Sequence, residues 1–513
     1  MSSSQPLITG LVSGAQRLLQ AEFDLRVLKA AAGFAASGLK QGDCVAILMR
    51  NDIPFLEASL AAVRLGAYAV PINWHFKPDE VAYVLQDCGA RLLVAHRDLL
   101  DAMAGALPAG LDILAVETPD EVRRTYGIAP APPAVAAPEW SQWLAAYEPW
   151  QGAPAPQLSS MIYTSGTTGR PKGVRRDPFP ASSEATVARY RERVYGLVPG
   201  IRTLMPGPLY HSAPNAFAMR ASRLADVFIL MPRFDPEEFL ALVERQRIDT
   251  LFMVPTMFVR LLKLPAEVRA RYDLSSLKFV MHAAAPCPPD VKAAMIAWWG
   301  PVIHEFYGST ESGAVTVVGS REWLAKPGTV GRAIEGGEIR ILAEDGSLLG
   351  PGRVGDVYTR LSFYPDFTYH GLPDKRSEIE RDGFITSGDI GYLDDDGFLF
   401  LCDRRRDMVI SGGVNIYPAE IESVLVTCPG VRDCAVFGIP HDEYGEQLMA
   451  VVEMEPGVAL DVADIVAFLS QRLAGYKVPR LIEARTDLPR EDSGKIFKRR
   501  LRAPYWQAAG RAI

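Results

Sequence analysis

The stretch from residue 163 to residue 174, YTSGTTGRPKGV, places four aliphatic hydroxyls, three glycines and a lysine within twelve residues. Glycine and proline at this density interrupt regular backbone pairing, so the stretch predicts a loop. Free backbone N–H groups, hydroxyls and an ammonium group suit a compact anion that only accepts hydrogen bonds, which is a phosphate chain. The predicted phosphate ligands are Thr164, Ser165, Gly166, Thr167, Thr168, Gly169 and Lys172.

Two alternatives to this loop are weaker. A flexible linker rarely carries a lysine behind an ordered Gly-x-x-Gly, and QLSSMIYT just before the loop predicts a short strand that enters a turn. The P-loop of nucleotide hydrolases needs a second glycine where Pro171 stands, and a Ser or Thr where Gly173 follows Lys172. The loop therefore predicts a different phosphate chemistry.

Four later stretches carry chemically useful side chains. In YGSTES, after the predicted strand VIHEF, Tyr307 can stack on a base and Glu311 can bind magnesium, although a capping turn before a helix would look similar. In TSGDIGYLDDDG, Asp389 can accept both hydroxyls of a ribose or can be an ordinary turn aspartate, and residues 394–396 predict a hairpin turn. DRRRDMVISGGVNIYP suits a diphosphate or a solvated linker, and PREDSGKIFKRRLR carries Lys495.

Composition limits the class of protein. A chain of 513 residues with 48% hydrophobic residues predicts two or more domains, and a net charge of −7 without a basic stripe argues against nucleic-acid binding. The six cysteines lack metal-ligand spacing, which predicts neither a zinc site nor a disulfide framework and fits a reducing compartment. No apolar run is long enough to span a bilayer, so we expect a cytoplasmic protein.

The order of the elements predicts an α/β protein. Helical and strand patterns alternate in the first part, as in the helix-like FDLRVLKAAAGFAASGL and the buried strand DCVAILM, which favours a largely parallel sheet. A Pro/Ala-rich stretch, residues 129–156, predicts a connection before the phosphate loop. The pattern becomes β-rich beyond about Gly328, and a compact unit of roughly 110 residues follows Arg404. We place the domains at residues 1–403 and 404–513.

Taken in this order and spacing, YTSGTTGRPKGV, YGSTES, TSGDIGYLDDDGF, GGVNIYPAEIE and PREDSGKIFKRRL resemble the core motifs of the adenylate-forming synthetases. That superfamily includes acyl-CoA synthetases, peptide-synthetase adenylation domains and beetle luciferases, and the resemblance covers nearly the whole chain. It implies a large N-terminal ATP- and acyl-binding domain of layered α/β sheets with a β-rich subdomain. It also implies a small, mobile α+β C-terminal domain that carries a catalytic lysine.

The resemblance implies a two-step reaction with ATP, Mg²⁺ and coenzyme A. A carboxylate attacks the α-phosphate of ATP to give an acyl-adenylate and pyrophosphate, while the hydroxyl-rich loop holds the β- and γ-phosphates. Adenylate is then a good leaving group for attack by a thiol. The C-terminal domain rotates about a hinge between the two steps.

The same resemblance assigns the site residues by position. Metal ligands are Thr164 and Glu311. The adenine and AMP ligands are Ala283, Ala284, Ala285, Tyr307, Gly308, Thr310, Asp389 and Arg404. The catalytic residues are Lys495, near the α-phosphate, and His211, near the carboxylate; the hinge is Arg406, and the pantetheine tunnel is lined by Ser411, Gly412 and Gly413.

Several points depart from the pattern or leave alternatives open. Asp403 stands where glycine is usual, and Arg175 and Arg176 are interpreted as surface charges without a role. Lys477 and Arg480 either contact the CoA nucleotide or are ordinary surface cations. A homodimer is left open.

The acid and the acceptor follow from weaker signals. PLYHSAPNAFAM, residues 208–219, resembles the segment that borders the acyl pocket in the family's CoA ligases. The small residues Ser212, Ala213, Ala216 and Ala283 to Ala285 then favour a bulky apolar acid, either a medium- or long-chain fatty acid or an aromatic acid. Coenzyme A is the favoured acceptor because the chain ends soon after Lys495 without an appended carrier domain. The alternatives are a stand-alone enzyme that loads a separate carrier protein and, less favoured, a non-catalytic nucleotide-binding protein.

Overall fold

Four β-sheets organise the part of the chain that the structure describes, which comprises residues 7–156, 158–164, 171–411, 414–490 and 496–509 of a computed structural model. In chain order, the strands before the predicted domain junction are β1 (Gly10–Ser13), β2 (Gln16–Leu18), β3 (Cys44–Leu48), β4 (Tyr68–Pro71), β5 (Ala90–His96), β6 (Asp112–Val116), β7 (Ile162–Thr164), β8 (Lys172–Arg176), β9 (Arg202–Met205), β10 (Val227–Leu230), β11 (Thr250–Met253), β12 (Phe279–His282), β13 (Ile303–Ser309), β14 (Gly313–Gly319), β15 (Thr329–Ala333), β16 (Gly337–Leu342), β17 (Gly355–Leu361), β18 (Phe367–Tyr369), β19 (Glu380–Arg381), β20 (Phe384–Leu393) and β21 (Phe398–Arg404).

Helices cover these sheets. Those of the same region are α1 (Gln20–Ala36), α2 (Ile53–Arg64), α3 (Pro78–Asp87), α4 (Arg97–Asp101), α5 (Asp120–Tyr126), α6 (Trp140–Ala145), α7 (Glu184–Tyr195), α8 (Ser212–Leu224), α9 (Pro236–Gln246), α10 (Pro255–Leu262), α11 (Ala266–Arg269), α12 (Pro289–Trp299), α13 (Ser320–Ala325) and α14 (Asp374–Ser377). The C-terminal elements are β22 (Val409–Ser411), β23 (Val414–Ile416), α15 (Pro418–Leu425), β24 (Val431–His441), β25 (Gly445–Met454), α16 (Val462–Ser470), β26 (Leu481–Ala484) and α17 (Lys498–Ala508).

A parallel four-stranded sheet, β4-β3-β5-β6, forms one layer. All five residues of β3 are buried, because core clusters pack on both faces of the sheet. A strand that is covered on both sides reads as a continuous apolar run rather than an alternating one. The prediction of a buried parallel strand at DCVAILM is therefore confirmed.

The largest sheet has two halves of different character. The strands from β1 through β10, β9, β11 and β12 to β13 pair in parallel, and those from β13 through β14, β15, β21, β20 and β17 to β16 pair antiparallel. The change occurs at the β13–β14 hairpin, whose turn contains Thr310 and Glu311. Its strands β15, β16, β17, β20 and β21 form the β-rich region that the sequence predicts beyond about Gly328.

Two smaller sheets complete the architecture. Strands β18, β8 and β7 form an antiparallel sheet that frames the predicted phosphate loop. The C-terminal sheet, with β23-β22-β25-β24 and with β26 beside β25, packs against α15, α16 and α17. The predicted α/β architecture with a separate α+β C-terminal unit is confirmed.

The Pro/Ala-rich connection before the phosphate loop contains more structure than the sequence predicts. Helix α6 lies within it, and the Trp140 side chain is fully buried. The Trp140 indole N–H donates to Glu57 Oε2 at 2.7 Å, and Glu57 Oε1 accepts from Arg26 Nε at 2.5 Å. Composition alone misses this helix because a buried tryptophan and a distant carboxylate stabilise it.

The helices of the described residues include none that combines the length and the apolar character needed to cross a bilayer.

Candidate active site

The base of the predicted phosphate loop is a β7–β8 hairpin. Thr164 and Lys172 lie opposite each other in this hairpin, and the Thr164 hydroxyl oxygen is 3.5 Å from the Lys172 carbonyl oxygen. The intervening predicted ligands Ser165, Gly166, Thr167, Thr168 and Gly169 lie outside the described residues. The described ends of the loop are thus held next to each other by strand pairing.

The YGSTES stretch ends β13 and turns into β14. A Cβ atom on Gly308 would lie 1.9 Å from the Gly313 carbonyl oxygen, so only glycine fits at this position. Within the turn, the Ser309 hydroxyl oxygen accepts from the N–H groups of Glu311 and Ser312, at 3.1 and 3.0 Å. An antiparallel strand follows the turn, so the alternative of a cap before a helix is wrong.

Glu311 is oriented by a residue that the sequence did not reveal. The Tyr369 hydroxyl donates to Glu311 Oε1 at 3.0 Å, and the Lys172 ammonium nitrogen lies 5.2 Å from the centre of the Tyr369 ring. Burial, with the nearby carboxylate, raises the pKa of Tyr369, which keeps its hydroxyl protonated as a donor. β18, which carries Tyr369, is hydrogen-bonded to β8, and Tyr369 is the register partner of Val174.

These residues fit a magnesium ion that is shared with a nucleotide. Tyr369 engages one oxygen of Glu311, and Oε2 accepts no hydrogen bond from the described residues. No cluster of three metal-ligating side chains occurs within the ranges that the structure describes. Mg²⁺ commonly takes one or two protein carboxylates and completes its octahedron with substrate phosphates and water, so one carboxylate beside the phosphate loop is sufficient.

A second group of predicted ligands converges at Asp389. The Tyr307 hydroxyl donates to Asp389 Oδ2 at 2.7 Å, and Arg404 Nε lies 3.4 Å from Asp389 Oδ1. Asp389 and Arg404 are register partners in the β20–β21 hairpin. Burial and the carboxylate raise the pKa of Tyr307. Asp389 therefore lies inside a strand, and its alternative interpretation as an ordinary turn aspartate is wrong.

Parallel strands bring three further predicted segments to one edge. Ala283 directly follows β12, Tyr307 lies in the last part of β13, and His211 ends the connection from β9 to α8. The parallel strands β9, β11, β12 and β13 have their carboxyl ends at the same edge of the sheet. Ala284 has φ of 78°, the left-handed region that alanine rarely adopts, and both Ala284 and Ala285 are exposed. Strained backbone of this kind often marks a ligand site.

The residues around His211 occupy the start of α8. His211 precedes the first helical residue, and its ring lies 4.4 Å from the ring of Tyr210. Ser212 and Ala213 are half-buried, and Ala216 is exposed. The catalytic role of His211 stays a prediction.

A group of basic residues surrounds the predicted hinge. Arg405 forms a bidentate pair with Asp356, at 2.8 and 2.7 Å, and Arg502 of α17 donates to the Arg406 carbonyl at 2.9 Å. Asp403, which stands where glycine is expected, accepts from the Ala419 N–H at 2.9 Å and so supports the N-terminus of α15. The turn at residues 405–407 is thus tied to both sides of the predicted domain boundary.

The predicted coenzyme A residues are only partly described. Ser411 ends β22 and pairs with Val414 of β23, while Gly412, Gly413 and the predicted catalytic Lys495 lie outside the described residues. Lys477 forms an ion pair with Glu420 at 2.7 Å.

The interpretation of Arg176 as a surface charge is wrong. The residue is only 6% exposed, whereas its neighbour Arg175 is exposed. Successive side chains of a strand point to opposite faces, so the two arginines of β8 have different environments.

Comparison with known proteins agrees with this arrangement. The sequence model described as "AMP-binding enzyme" matches residues 4–362, and that of the "AMP-binding enzyme C-terminal domain" matches residues 420–495. The chain belongs to the AMP-binding enzyme family. The resemblance to the adenylate-forming superfamily is therefore confirmed.

Individual relatives of this AMP-binding enzyme cover almost its whole length. A feruloyl-CoA synthase from Amycolatopsis sp is 33% identical over 98% of this chain and 96% of its own length. The long-chain-fatty-acid–CoA ligase FadD13 from Mycobacterium tuberculosis is 30% identical over 95% of this chain and 93% of its own. The crystal structure of the anthranilate CoA ligase AuaEII in complex with anthranoyl-AMP is similar with a TM-score of 0.82 and 25% identity, over 98% and 95% of the two chains.

Proposed function

We propose that this AMP-binding enzyme is an ATP-dependent acyl-CoA synthetase. It activates a fatty or aromatic carboxylic acid as an acyl-adenylate with release of pyrophosphate, and it then transfers the acyl group to the thiol of coenzyme A. The observation that carries the proposal is that Tyr307 and Arg404 both contact Asp389. Glu311 lies in the turn of the β13–β14 hairpin, which also carries Tyr307. Whole-length similarity to CoA ligases supports the reaction class.

In the first step, the residues of this site bind and orient the nucleotide. The Tyr307 ring offers a face for adenine beside the Ala283–Ala285 backbone, and Asp389 accepts from the ribose hydroxyls. Lys172 and the loop after Thr164 contact the outer phosphates. A magnesium ion bound at Glu311 would neutralise phosphate charge and would favour departure of pyrophosphate.

Charge repulsion is the main barrier to the first step, because a carboxylate must approach an anionic α-phosphate. Lys495 offsets this charge electrostatically rather than by proton transfer. In the second step, the C-terminal domain rotates about Arg406, which removes Lys495 and brings the hairpin of Ser411 to the thiol path. The domain division at residues 403 and 404 belongs to the same proposal.

The test is pyrophosphate release with Mg²⁺ and ATP across panels of aliphatic, aryl and amino acids, each with and without coenzyme A. We expect sustained release for one acid class only when coenzyme A is present, with a thioester as the product by mass spectrometry. A single burst that stops even with coenzyme A would favour a carrier protein as the acceptor. No release with any acid would contradict the proposal.

Assembly and location stay predictions. Light scattering after size-exclusion chromatography tests the homodimer, and fractionation of the source cells tests the cytoplasmic location.

A further inference from the structure

Arg176, at the end of β8, contacts main-chain oxygens of two separate segments. Its Nη1 donates to the Pro365 carbonyl at 2.6 Å. Its Nη2 donates to the Thr310 carbonyl at 2.6 Å and also to the Glu311 carbonyl. One side chain therefore connects the strand after the phosphate loop to the turn that carries the predicted metal ligand.

Aromatic rings complete the environment of this guanidinium. Its central carbon lies 4.6 Å from the centre of the Tyr364 ring and 5.4 Å from that of Phe367. The hydrogen-bond acceptors of the Arg176 side chain are three main-chain carbonyl oxygens, those of Pro365, Thr310 and Glu311. A buried guanidinium that is satisfied by carbonyl oxygens and ring faces keeps a rigid, planar orientation, which a lysine cannot reproduce.

The position of β8 gives these contacts a consequence for the site. β8 begins at Lys172 and pairs with β18, which carries Tyr369. The small sheet thus presents Lys172 and Tyr369, whereas Glu311 belongs to the largest sheet. Tyr369 holds the Glu311 side chain and Arg176 holds the Glu311 backbone, so both contacts fix Glu311 relative to the small sheet.

We propose that Arg176 is a positioning residue that holds the Thr310–Glu311 turn against β8, the strand that begins at Lys172, and thereby sets the magnesium-dependent binding of the nucleotide triphosphate. The proposal rests on the proposed function for its catalytic consequence. Arg176 does not touch the nucleotide in this scheme; it acts through Glu311 and Thr310. Displacement of a ligand by about 1 Å can cost on the order of a hundredfold in rate.

The experiment compares Arg176→Met and Arg176→Lys with the matched control Arg175→Met. The control removes the same charge from the neighbouring residue, whose side chain contacts the Tyr68 hydroxyl instead of the turn. Calorimetry measures ATP binding with Mg²⁺ and with a chelator, and the initial rate of pyrophosphate release is measured over a range of Mg²⁺ concentrations. Thermal unfolding of each variant reports on folding.

For Arg176→Met, we expect ATP binding without magnesium to be unchanged within about twofold and the half-saturating Mg²⁺ concentration to rise about tenfold or more. Pyrophosphate release at fixed Mg²⁺ should fall on the order of a hundredfold. Arg176→Lys should lie between this variant and the wild type, because one ammonium cannot span three carbonyls. Arg175→Met should match the wild type within about twofold.

Two results would overturn the proposal. One is an Arg176→Met variant whose magnesium requirement equals that of Arg175→Met. The other is equal loss of ATP binding with and without magnesium in Arg176→Lys, which would indicate a general structural role even if Arg176→Met fails to fold. A wild type that binds MgATP but releases no pyrophosphate with any acid would contradict the proposed function alone, because the binding comparison still tests Arg176.

Discussion

The turn at Thr310–Glu311 and the junction at Arg404–Asp407 are both held by arginines, but the two regions differ in how those arginines are satisfied. At the turn, Arg176 is 6% exposed and donates to backbone carbonyls. At the junction, the Arg405 side chain is 43% exposed and pairs with Asp356, whose side chain is 20% exposed. The first region is fixed by buried contacts, and the second is held by contacts that water can replace.

The energetic consequence of this difference is large. A buried donor that loses its partner costs about 1–3 kcal/mol, and more for a charged group, whereas an exposed ion pair contributes only about 0–1 kcal/mol. Lys263 of the N-terminal region also contacts the C-terminal unit through the exposed carboxylate of Glu455, at 2.7 Å. A site with one rigid side and one exchangeable side suits a reaction in which the nucleotide stays in place while a domain rotates.

The largest expected effect concerns Lys495 of the C-terminal unit, the side of the site that is predicted to move. Lys495→Ala should reduce acyl-adenylate formation on the order of a hundred- to a thousandfold, because it removes the positive charge that is predicted to lie near both the carboxylate and the α-phosphate. Thioester formation from synthetic acyl-adenylate should stay within a few-fold of the wild type. Rapid-quench measurement of each half-reaction checks both values, with Arg499→Ala as an exposed control on α17.

Equal loss of the two half-reactions in Lys495→Ala would contradict the rotation of a movable domain.

The pH dependence of the free energy of unfolding tests the buried part of β13, the strand that leads into the Thr310–Glu311 turn. His304 of β13 stacks on Phe279, and burial, with nearby positive charges, lowers its pKa from 6.5 to about 4. Between these two pH values, the unfolded imidazole takes up a proton that the folded one does not. The free energy of unfolding should therefore fall as the pH decreases from 6.5 to 4, by up to about 3 kcal/mol.

Thermal unfolding from pH 4 to pH 8 measures this contribution. His304→Phe should flatten the curve below pH 6.5, although not completely, because burial also lowers the pKa of His282 on the neighbouring strand. If stability depends on pH in the same way in His304→Phe and in the wild type, His304 does not contribute to the pH dependence.

A smaller effect concerns the Thr310–Glu311 turn and its contact with Tyr369. Tyr369→Phe removes one hydrogen bond to the Glu311 carboxylate, and a bond to a charged group contributes about 1.5–3 kcal/mol. We expect the Mg²⁺ concentration that gives half-maximal pyrophosphate release to rise about tenfold. The control is Tyr364→Phe, because the Tyr364 hydroxyl of the wild type makes no hydrogen bond with the described residues.

An unchanged magnesium requirement in Tyr369→Phe would show that the hydrogen bond from Tyr369 does not fix the Glu311 carboxylate.

The smallest effect concerns Asp403 at the junction. Asp403→Ala removes the side-chain acceptor for the Ala419 N–H at the start of α15, which should cost about 1 kcal/mol. Denaturant unfolding monitored on the C-terminal unit checks this value, and the rate of pyrophosphate release should not change by more than about twofold. Strong loss of that rate would show that the junction is as tightly constrained as the turn.

The sequence singled out residues that meet in the structure, but it missed the residues that support them. Tyr307, Asp389 and Arg404 were found from their motifs, and the structure brings them into contact although their roles stay predictions. Tyr369 and Arg176 were missed, because their partners lie 58 and 134 or more positions away along the chain. No local pattern marks a tyrosine or an arginine whose partner belongs to another sheet.

The sequence by itself determined the buried parallel strands and the membership of the family, and it predicted the phosphate loop, because glycine, proline and apolar runs limit the backbone locally. Only the tertiary structure decided that Arg175 is exposed and Arg176 is buried. The two residues are chemically identical neighbours on one strand, and their difference depends on which segment packs against each face. That information lies in the packing of the β13–β14 turn on β8, which neither segment encodes alone.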